Sequence, residues 1–152
     1  MKTTEGDLIE LAQAGKFDVI VHGCNCWNTM GSGIAKQIAK AYPRAAQVDS
    51  RTTRGGANKL GKITTSYHDN GGHPLVVVNA YTQLDYGRNA IKCYVDYVAI
   101  EGCFDIIGSL FPLQRIGYPK IGAGLANGDW DKIADIIESK LRGLDHTLVV
   151  RE

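Results

Sequence analysis

The stretch that decides the fold runs Val19-Ile20-Val21-His22-Gly23-Cys24-Asn25-Cys26-Trp27-Asn28-Thr29-Met30-Gly31-Ser32-Gly33-Ile34-Ala35. Its first three residues are β-branched, which predicts a buried strand. From Ser32 onwards apolar residues recur at helical spacing, which predicts a helix over 32–41. A polar, glycine-containing loop joins the two. Such a loop, between the carboxyl end of a strand and the amino end of a helix, is where α/β folds hold an anion or a nucleotide.

Helices and strands alternate along the rest of the 152 residues. The predicted elements are an edge strand over 1–4, a short helix opening at Gly6-Asp7, a helix over 44–49, hairpin strands over 63–67 and 75–81, a long helix within 89–110, a strand over 115–119, a helix over 130–141 and a strand over 147–150. The expected packing residues of the long helix include Ile91, Tyr94, Val95 and Val98. This order predicts one α/β domain over 1–152, with a mixed, mostly parallel sheet covered by helices on both faces.

Charge and hydropathy argue against two classes of partner. The net charge is +1, so the chain lacks the electrostatic footprint of nucleic-acid or membrane binding. No apolar run approaches the length of a membrane span, and the first seven residues do not resemble a signal peptide. We therefore expect a cytoplasmic protein with neither a nucleic-acid nor a membrane partner.

The four cysteines, Cys24, Cys26, Cys93 and Cys103, form no CxxC pair, and a disulfide framework is not expected. His22 shares the strand parity of Cys24 and Cys26, as zinc ligands could. No second cluster at metal spacing completes a tetrahedral site. We therefore predict no metal and treat the cysteines as small apolar residues at a strand end.

Two short patterns look like phosphate-binding motifs and are rejected. Residues 56–62 have the spacing of a P-loop, but Ile63 stands where magnesium needs Ser or Thr, and no buried strand precedes them. Gly31-Ser32-Gly33 begins like a dinucleotide fingerprint, but residues 43–49 do not form the strand that should follow. No cofactor is predicted.

A pair of loops remains as the candidate ligand site. The first loop, residues 25–33, offers the amides of Asn25 and Asn28 for sugar hydroxyls and free backbone N–H groups at its helix end. The second loop, residues 122–128, carries glycines that let the backbone approach a phosphate closely. Two such loops, both at strand-to-helix transitions, suit a diphosphate with a sugar at one end.

These loops resemble those of the macrodomain family, which binds ADP-ribose. Gly23-Cys24-Asn25-Cys26 through Ala35 resembles its first ligand loop, and Pro119-Lys120-Ile121-Gly122-Ala123-Gly124-Leu125 resembles its phosphate-binding loop. Gly6-Asp7-Leu8 resembles the element whose aspartate accepts from the adenine amino group. Asn79-Ala80-Tyr81-Thr82-Gln83 resembles the strand end beneath the site.

The resemblance covers nearly the whole chain. It implies a three-layer α/β/α sandwich around a six-stranded mixed sheet, with ADP-ribose, a derivative of it or an ADP-ribosylated protein as partner. The ligand-binding residues that it implies are Asp7, Leu8, Asn25, Gly31, Ser32, Gly33, Ile34, Tyr81, Gly122, Ala123, Gly124, Leu125, Ala126 and Asn127.

Within the family, residues 22–26 and 82–85 resemble most the branch that includes ADP-ribose 1''-phosphate phosphatases. The branch that removes ADP-ribose from glutamate has an aspartate directly after the Gly-x-Gly-Leu of the second loop, where this chain has Ala126. That branch also uses a lysine in the loop after the central strand, for which Lys92 is the nearest candidate. The departure at Ala126 argues against deglutamylation.

Removal of a 1''-phosphate needs a positioned water, a group that takes its proton, and charge stabilisation. We expect His22, which can titrate near neutral pH, and Asp85, which would orient it or act as base, to be the catalytic pair. The structural alternatives are a buried neutral histidine and a turn aspartate. Hydrolysis of ADP-ribosylated protein or O-acetyl-ADP-ribose, and binding without catalysis, are the alternative functions.

Overall fold

The structure, a computed structural model, describes residues 1–151. Its strands are β1 Lys2–Glu5, β2 Val19–Cys24, β3 Ile63–His68, β4 Leu75–Tyr81, β5 Ile116–Tyr118 and β6 His146–Val150. Its helices are α1 Leu8–Gln13, α2 Gly33–Ala41, α3 Pro43–Ser50, α4 Tyr97–Leu110 and α5 Trp130–Lys140, with short 3-10 turns at Ala57–Lys59 and Asn70–Gly72.

The six strands form one sheet in the order β1-β6-β5-β2-β4-β3. Neighbouring strands are parallel except in the β3–β4 hairpin, where Ile63 pairs with Ala80 in antiparallel register. The predicted six-stranded mixed sheet is confirmed. Its topology is that of an α/β sandwich because the parallel strands need helical crossovers.

Both faces of the sheet are covered by helices, as the order of elements predicts. Successive side chains of a strand point to opposite faces, so β2 contributes to two cores. Val19 and Val21 pack with residues of α4 and α5, including Ile100 and Ile133. Ile20 packs on the other face with residues of α1, α2 and α3.

The helices begin where short polar side chains cap them. The carboxylate of Asp7 accepts from the N–H groups of Ile9 and Glu10 at the start of α1, and Asp96 accepts from the N–H of Ala99 in α4. At α2, Ser32 makes no such side-chain bond within residues 1–151, which leaves that amino end open. None of the helices in this range is long and apolar enough to cross a membrane.

The long helix α4 lies within the predicted range 89–110. It begins at Tyr97, and residues 82–96 form an irregular connection between β4 and α4. Ile91 is 94% exposed and Val98 is 75% exposed, so the prediction that they pack in the core is wrong. Val98 lies on the solvent side of α4, whose buried face carries Ala99, Ile100, Cys103, Phe104 and Ile107.

Three connections leave the carboxyl ends of adjacent parallel strands. The first loop follows β2, the β4–α4 connection follows β4, and residues 119–129 with the second loop follow β5. Because parallel strands end at the same edge of a sheet, these three connections meet there. This edge is where the fold concentrates its loops.

Candidate ligand site

A cavity of about 670 Å³ opens where the three connections meet. This volume is in the range of pockets that hold small ligands. Its walls are formed by Gly23, Cys24, Asn25, Thr29, Gly31, Ser32, Gly33, Ile34, Ala35, Gln83, Tyr86, Gly87, Arg88, Pro119, Lys120, Ile121, Gly122, Gly124, Leu125 and Ala126. The first and second loops, which are far apart in the sequence, therefore line one cavity.

The cavity wall carries positive charge. Two exposed cations, Arg88 and Lys120, belong to the wall, and none of the wall residues found within 1–151 is an aspartate, a glutamate or a histidine. The uncapped amino end of α2, at Gly33, adds the positive end of a helix dipole. The cavity therefore favours an anionic ligand.

Asn25 braces the first loop from within. Its Nδ2 donates to the carbonyl oxygen of Thr29 at 3.0 Å and to Thr29 Oγ1 at 2.9 Å. Its Oδ1 accepts from the N–H of Trp27 at 2.8 Å. Asn25 lies in the cavity wall. These hydrogen bonds show that its amide also stabilises the turn of the first loop.

Trp27 joins the first loop to two other segments. Its indole lies against Gly55, where an added Cβ would be 2.9 Å from the ring, and Gly55 has a φ of +72°. The indole N–H donates to Asp85 Oδ1 at 2.9 Å. The N–H of Gly55 donates to the carbonyl oxygen of Cys26 at 2.7 Å. A side chain at residue 55 would thus displace the first loop.

The second loop is fixed mainly through its backbone. The N–H of Gly128 donates to the carbonyl oxygen of Gly122 at 2.7 Å, which closes the loop on itself. Asn127 has a φ of 57°, and its Nδ2 donates to the carbonyl oxygens of Asn89 at 2.8 Å and Lys92 at 2.9 Å. These bonds tie the second loop to the β4–α4 connection.

His22 lies away from the cavity wall. Its ring is fully buried on the α3 side of the sheet, with Nε2 2.6 Å from Asn79 Oδ1. Asn79 in turn donates to the carbonyl oxygen of Ala45 in α3 at 3.0 Å. Burial lowers the pKa of His22 to about 4, partly offset by the bond to Asn79. This geometry does not support a catalytic role for His22 and corresponds to the alternative of a buried neutral histidine.

Tyr81 also lies beneath the site rather than in its wall. It is 1% exposed, and its hydroxyl donates to Asp49 Oδ1 at 2.8 Å. Burial raises the pKa of Tyr81 and that of Asp49. The tyrosine's parity along β4 turns its ring toward α3, so the structure does not support the predicted contact between Tyr81 and a ligand.

Asp7, the predicted adenine contact, and Leu8, a predicted ligand-binding residue, are outside the cavity wall that residues 1–151 form. Asp7 Oδ1 caps α1, and Oδ2 accepts from Arg151 Nη2 at 2.6 Å. The backbone N–H of Glu10 and the guanidinium of Arg151 lower the pKa of Asp7, and partial burial opposes them. Leu8 is buried among the residues between α1 and the sheet.

Asp85 and Lys92 are outside the cavity wall that residues 1–151 form. Asp85 is partly exposed and lies between Gln83 and Tyr86, which both belong to the wall. Lys92 places its Nζ 5.0 Å from the ring centroid of Tyr94. Of the other predicted binding residues, Ala123 and Asn127 are also outside the wall that the described chain forms.

The sequence pattern does not identify four polar wall residues as ligand contacts: Thr29, Gln83, Arg88 and Lys120. Lys120 lies inside the run that resembles the phosphate-binding loop, so its position could have been used. Arg88 lies in an irregular connection without periodicity, and no local signal marks it.

No group of three His, Cys, Asp or Glu side chains suited to a metal ion occurs within residues 1–151. His22, Cys24 and Cys26 therefore do not form the zinc site that their spacing allows. Burial, together with the negative charge of Asp49, raises the pKa of the Cys24 thiol well above its ordinary value, so the thiol stays protonated at neutral pH.

No model of a protein family matches the chain. The chain is 33% identical to an uncharacterized 17.5 kDa protein in the tk-vs intergenic region of Enterobacteria phage T4, over 98% of this chain and 95% of that protein. It is 25% identical to an ADP-ribose 1''-phosphate phosphatase of Lodderomyces elongisporus, over 99% of this chain and 98% of that protein. It is 24% identical to a DNA ADP-ribosyl glycohydrolase of Thermus aquaticus, over 95% of this chain but 39% of that protein.

Solved structures share the fold. The macrodomain of Thermus aquaticus DarG matches with a TM-score of 0.75 at 18% identity, over 99% of this chain and 97% of that one. Thermosipho africanus DarTG in complex with ADP-ribose matches with a TM-score of 0.73 at 13% identity, over 99% of this chain and 42% of that one. The six-stranded sandwich described above is therefore the macrodomain fold.

Proposed function

We propose that the chain, which has the macrodomain fold, binds ADP-ribose in its cavity and hydrolyses the phosphate from ADP-ribose 1''-phosphate. One observation carries this proposal: the cavity wall formed by residues 1–151 has two cations, an open helix amino end and no carboxylate. A 1''-phosphate makes the ligand more anionic than ADP-ribose itself, so it gains most from such a wall. The similarity to an ADP-ribose 1''-phosphate phosphatase over nearly the whole chain supports the choice.

In this proposal the diphosphate lies between the two loops. Backbone N–H groups of Gly31 to Gly33 and of the second-loop wall residues bind its oxygens, as helix amino ends and glycine-rich turns do in other proteins. Those second-loop residues are Gly122, Gly124, Leu125 and Ala126. The distal ribose lies beside Asn25. The adenine lies past Ile34 toward α1, where its amino group would take the place of Arg151 on Asp7.

We assign Asp85 as the general base. Its Oδ1 accepts from Trp27, and its Oδ2 takes no part in any hydrogen bond among residues 1–151, so one oxygen is left for a water. The water attacks phosphorus, its proton passes to Asp85, and the bond from phosphorus to the oxygen on C1'' breaks. The departing oxygen takes a proton from solvent to become the C1'' hydroxyl, and Asp85 returns its proton to solvent. Arg88 and Lys120 offset the negative charge that develops on the phosphoryl group.

The direct test measures inorganic phosphate released from ADP-ribose 1''-phosphate by the purified protein, with ADP-ribose affinity measured by calorimetry. We expect ADP-ribose to bind and phosphate to be released. Binding without release of phosphate would refute the phosphatase assignment and leave an ADP-ribose-binding module. Absence of binding would refute the whole proposal.

Substitution of Asp85 by asparagine tests the base. Asp85→Asn keeps an oxygen for the indole N–H of Trp27 but cannot take a proton, so kcat should fall about 100-fold or more with little change in ADP-ribose affinity. The matched control is Asp135→Asn, an exposed aspartate on α5. Equal turnover by the Asp85 variant and the control would show that Asp85 only braces Trp27.

A second candidate is removal of ADP-ribose from DNA. It is favoured by the similarity to a DNA ADP-ribosyl glycohydrolase over 95% of this chain. The exposed positions of Arg88 and Lys120 at the cavity would let them meet DNA phosphates, although the net charge of +1 provides no general nucleic-acid footprint. An ADP-ribosylated oligonucleotide, assayed beside ADP-ribose 1''-phosphate, separates the two reactions by whether ADP-ribose or phosphate is released.

A further inference from the structure

Lys59 is a buried lysine beneath the first loop. It belongs to the rejected P-loop pattern and ends the 3-10 turn Ala57–Lys59, where it is 8% exposed. Its Nζ donates to Asn28 Oδ1 at 2.5 Å and to Thr52 Oγ1 at 2.8 Å, and it lies 5.1 Å from the ring centroid of Tyr81. The ammonium group thus donates hydrogen bonds to two oxygens and lies over one aromatic ring.

Asp49 supplies the opposite charge. It is 3% exposed and accepts from the hydroxyl of Tyr81, whose ring faces Lys59. Burial raises the pKa of Asp49, while the Tyr81 hydroxyl and the charge of Lys59 both act to lower it. A buried charge is costly unless an opposite charge and hydrogen bonds compensate it. The positive charge of Lys59 and the negative charge of Asp49 therefore offset each other across the ring of Tyr81.

Asn28 is where this group meets the first loop. Its backbone has a φ of 57°, which asparagine tolerates better than most residues. Its Oδ1 accepts from Lys59 and from Thr52 Oγ1, and its Nδ2 donates to the carbonyl oxygen of Thr52 at 2.8 Å. Both ends of the amide are therefore fixed by residues outside the loop.

The hydrogen bonds of Asn28 fix the path of the first loop toward α2. Asn28 directly precedes Thr29 and lies three residues after Asn25, and both of these belong to the cavity wall. Residues 31–33, which follow, carry the N–H groups at the amino end of α2. Movement of Asn28 would therefore shift these groups relative to the second loop.

We infer that Lys59 is a positioning residue for ligand binding: it fixes Asn28 and thereby the N–H groups of residues 31–33 that receive the diphosphate. Lys59 is not part of the cavity wall that residues 1–151 form, so it acts through Asn28 and not by contact. The inference rests on the proposed binding of ADP-ribose.

The test compares Lys59→Met with Lys62→Met, a change at an exposed lysine three residues further along the same segment. We expect Lys59→Met to bind ADP-ribose at least tenfold more weakly and to exchange the amide hydrogens of residues 28–33 faster. Lys62→Met should stay within twofold of the parent protein in both measurements. Parent-like affinity in a folded Lys59→Met protein would overturn the inference.

Asn28→Gly provides a second route if Lys59→Met does not fold. Glycine keeps the left-handed backbone and removes the oxygen that Lys59 binds. We expect the same loss of affinity, and the double variant should be no weaker than either single one because both changes remove the same contact. Binding by Asn28→Gly within twofold of the parent, or additive losses, would contradict the inference.

The exchange measurement separates this inference from the proposed function, because it needs no ligand. If the parent protein fails to bind ADP-ribose, the proposed function is wrong. Faster exchange over residues 28–33 in Lys59→Met, but not in Lys62→Met, would still establish that Lys59 fixes the loop. Unchanged exchange would refute the positioning role independently of the ligand.

Discussion

The two loops of the cavity each contain one asparagine with the same backbone conformation, and they hold it by different means. Asn28 and Asn127 both have a φ of 57°. The amide of Asn28 is bound by a buried lysine and a threonine. The amide of Asn127 is exposed and bonds two carbonyl oxygens of the β4–α4 connection.

The two loops are also held in place by different kinds of contact. Side chains and buried charge fix the first loop, with Trp27 against Gly55 as a further support. Close backbone packing fixes the second loop, where an added Cβ at Gly128 would lie 2.5 Å from the carbonyl oxygen of Gly122. The first loop should therefore be sensitive to lost side-chain contacts, and the second to added atoms.

The largest effect is expected at Gly122 of the second loop. Its φ is +75°, and an added Cβ would lie 2.7 Å from Val95 Cγ2. Gly122→Ala combines a strained backbone with overpacking and should lower the free energy of unfolding by about 4 kcal/mol, measured by urea denaturation. Gly124→Ala is the control, since none of residues 1–151 outside its chain neighbours lies within 4 Å of its added Cβ. Equal stability of the two variants would show that the second loop can rearrange to accommodate the added Cβ without loss of stability.

The next largest effect concerns His22, below the first loop. In the unfolded chain the histidine takes up a proton as the pH falls below about 6.5, while in the folded protein it stays neutral down to about 4. Its contribution to stability is complete above pH 6.5 and is lost as the pH falls toward 4, by about 3 kcal/mol in total.

The difference in stability between pH 7 and pH 4.5 measures this effect. His22→Gln should make that difference smaller than in the parent protein. Because the ring of His22 is fully buried and bonded to Asn79, His22→Gln should change turnover less than tenfold. A larger loss in a folded variant would restore His22 as a candidate base.

The smallest effect compares the two asparagines directly. Asn28→Gly leaves the Nζ of Lys59 without one of its acceptors in a buried position, and should lower the free energy of unfolding by about 2 kcal/mol. Asn127→Gly loses exposed hydrogen bonds, and should cost about 0.5 kcal/mol. Thermal unfolding at neutral pH distinguishes them. A larger cost at Asn127 would reverse the contrast between the loops.

Much of the fold could be predicted because its signals are local. The β-branched run at Val19 predicts β2, and the apolar spacing after Ser32 predicts α2, which begins at Gly33. The alternation of the elements predicts the mixed sheet with helices on both faces, which is confirmed. The packing of Ile91 is not predictable from its apolar side chain alone, because it lies in the irregular β4–α4 connection, where it is exposed.

The site was predictable only in part, because several of its features depend on contacts between segments that are far apart in the sequence. The two loops follow from glycines at strand ends, and the cavity lies between them. Whether His22 and Tyr81 face a ligand depends on the strand parity and on α3, whose Ala45 and Asp49 are bonded into the same buried network. Contacts across more than twenty residues have no local signature.

The sequence by itself thus determined the order of elements, the two loops and the family they resemble, because periodicity and glycine placement act over short distances. The tertiary structure alone decided that Arg88 and Lys120 share one cavity wall, that His22 is sealed from it, and that Lys59 is buried under Asn28. Each of these facts depends on segments that the folded sheet brings together. Burial and pairing of charges are properties of that assembly, and no single segment contains them.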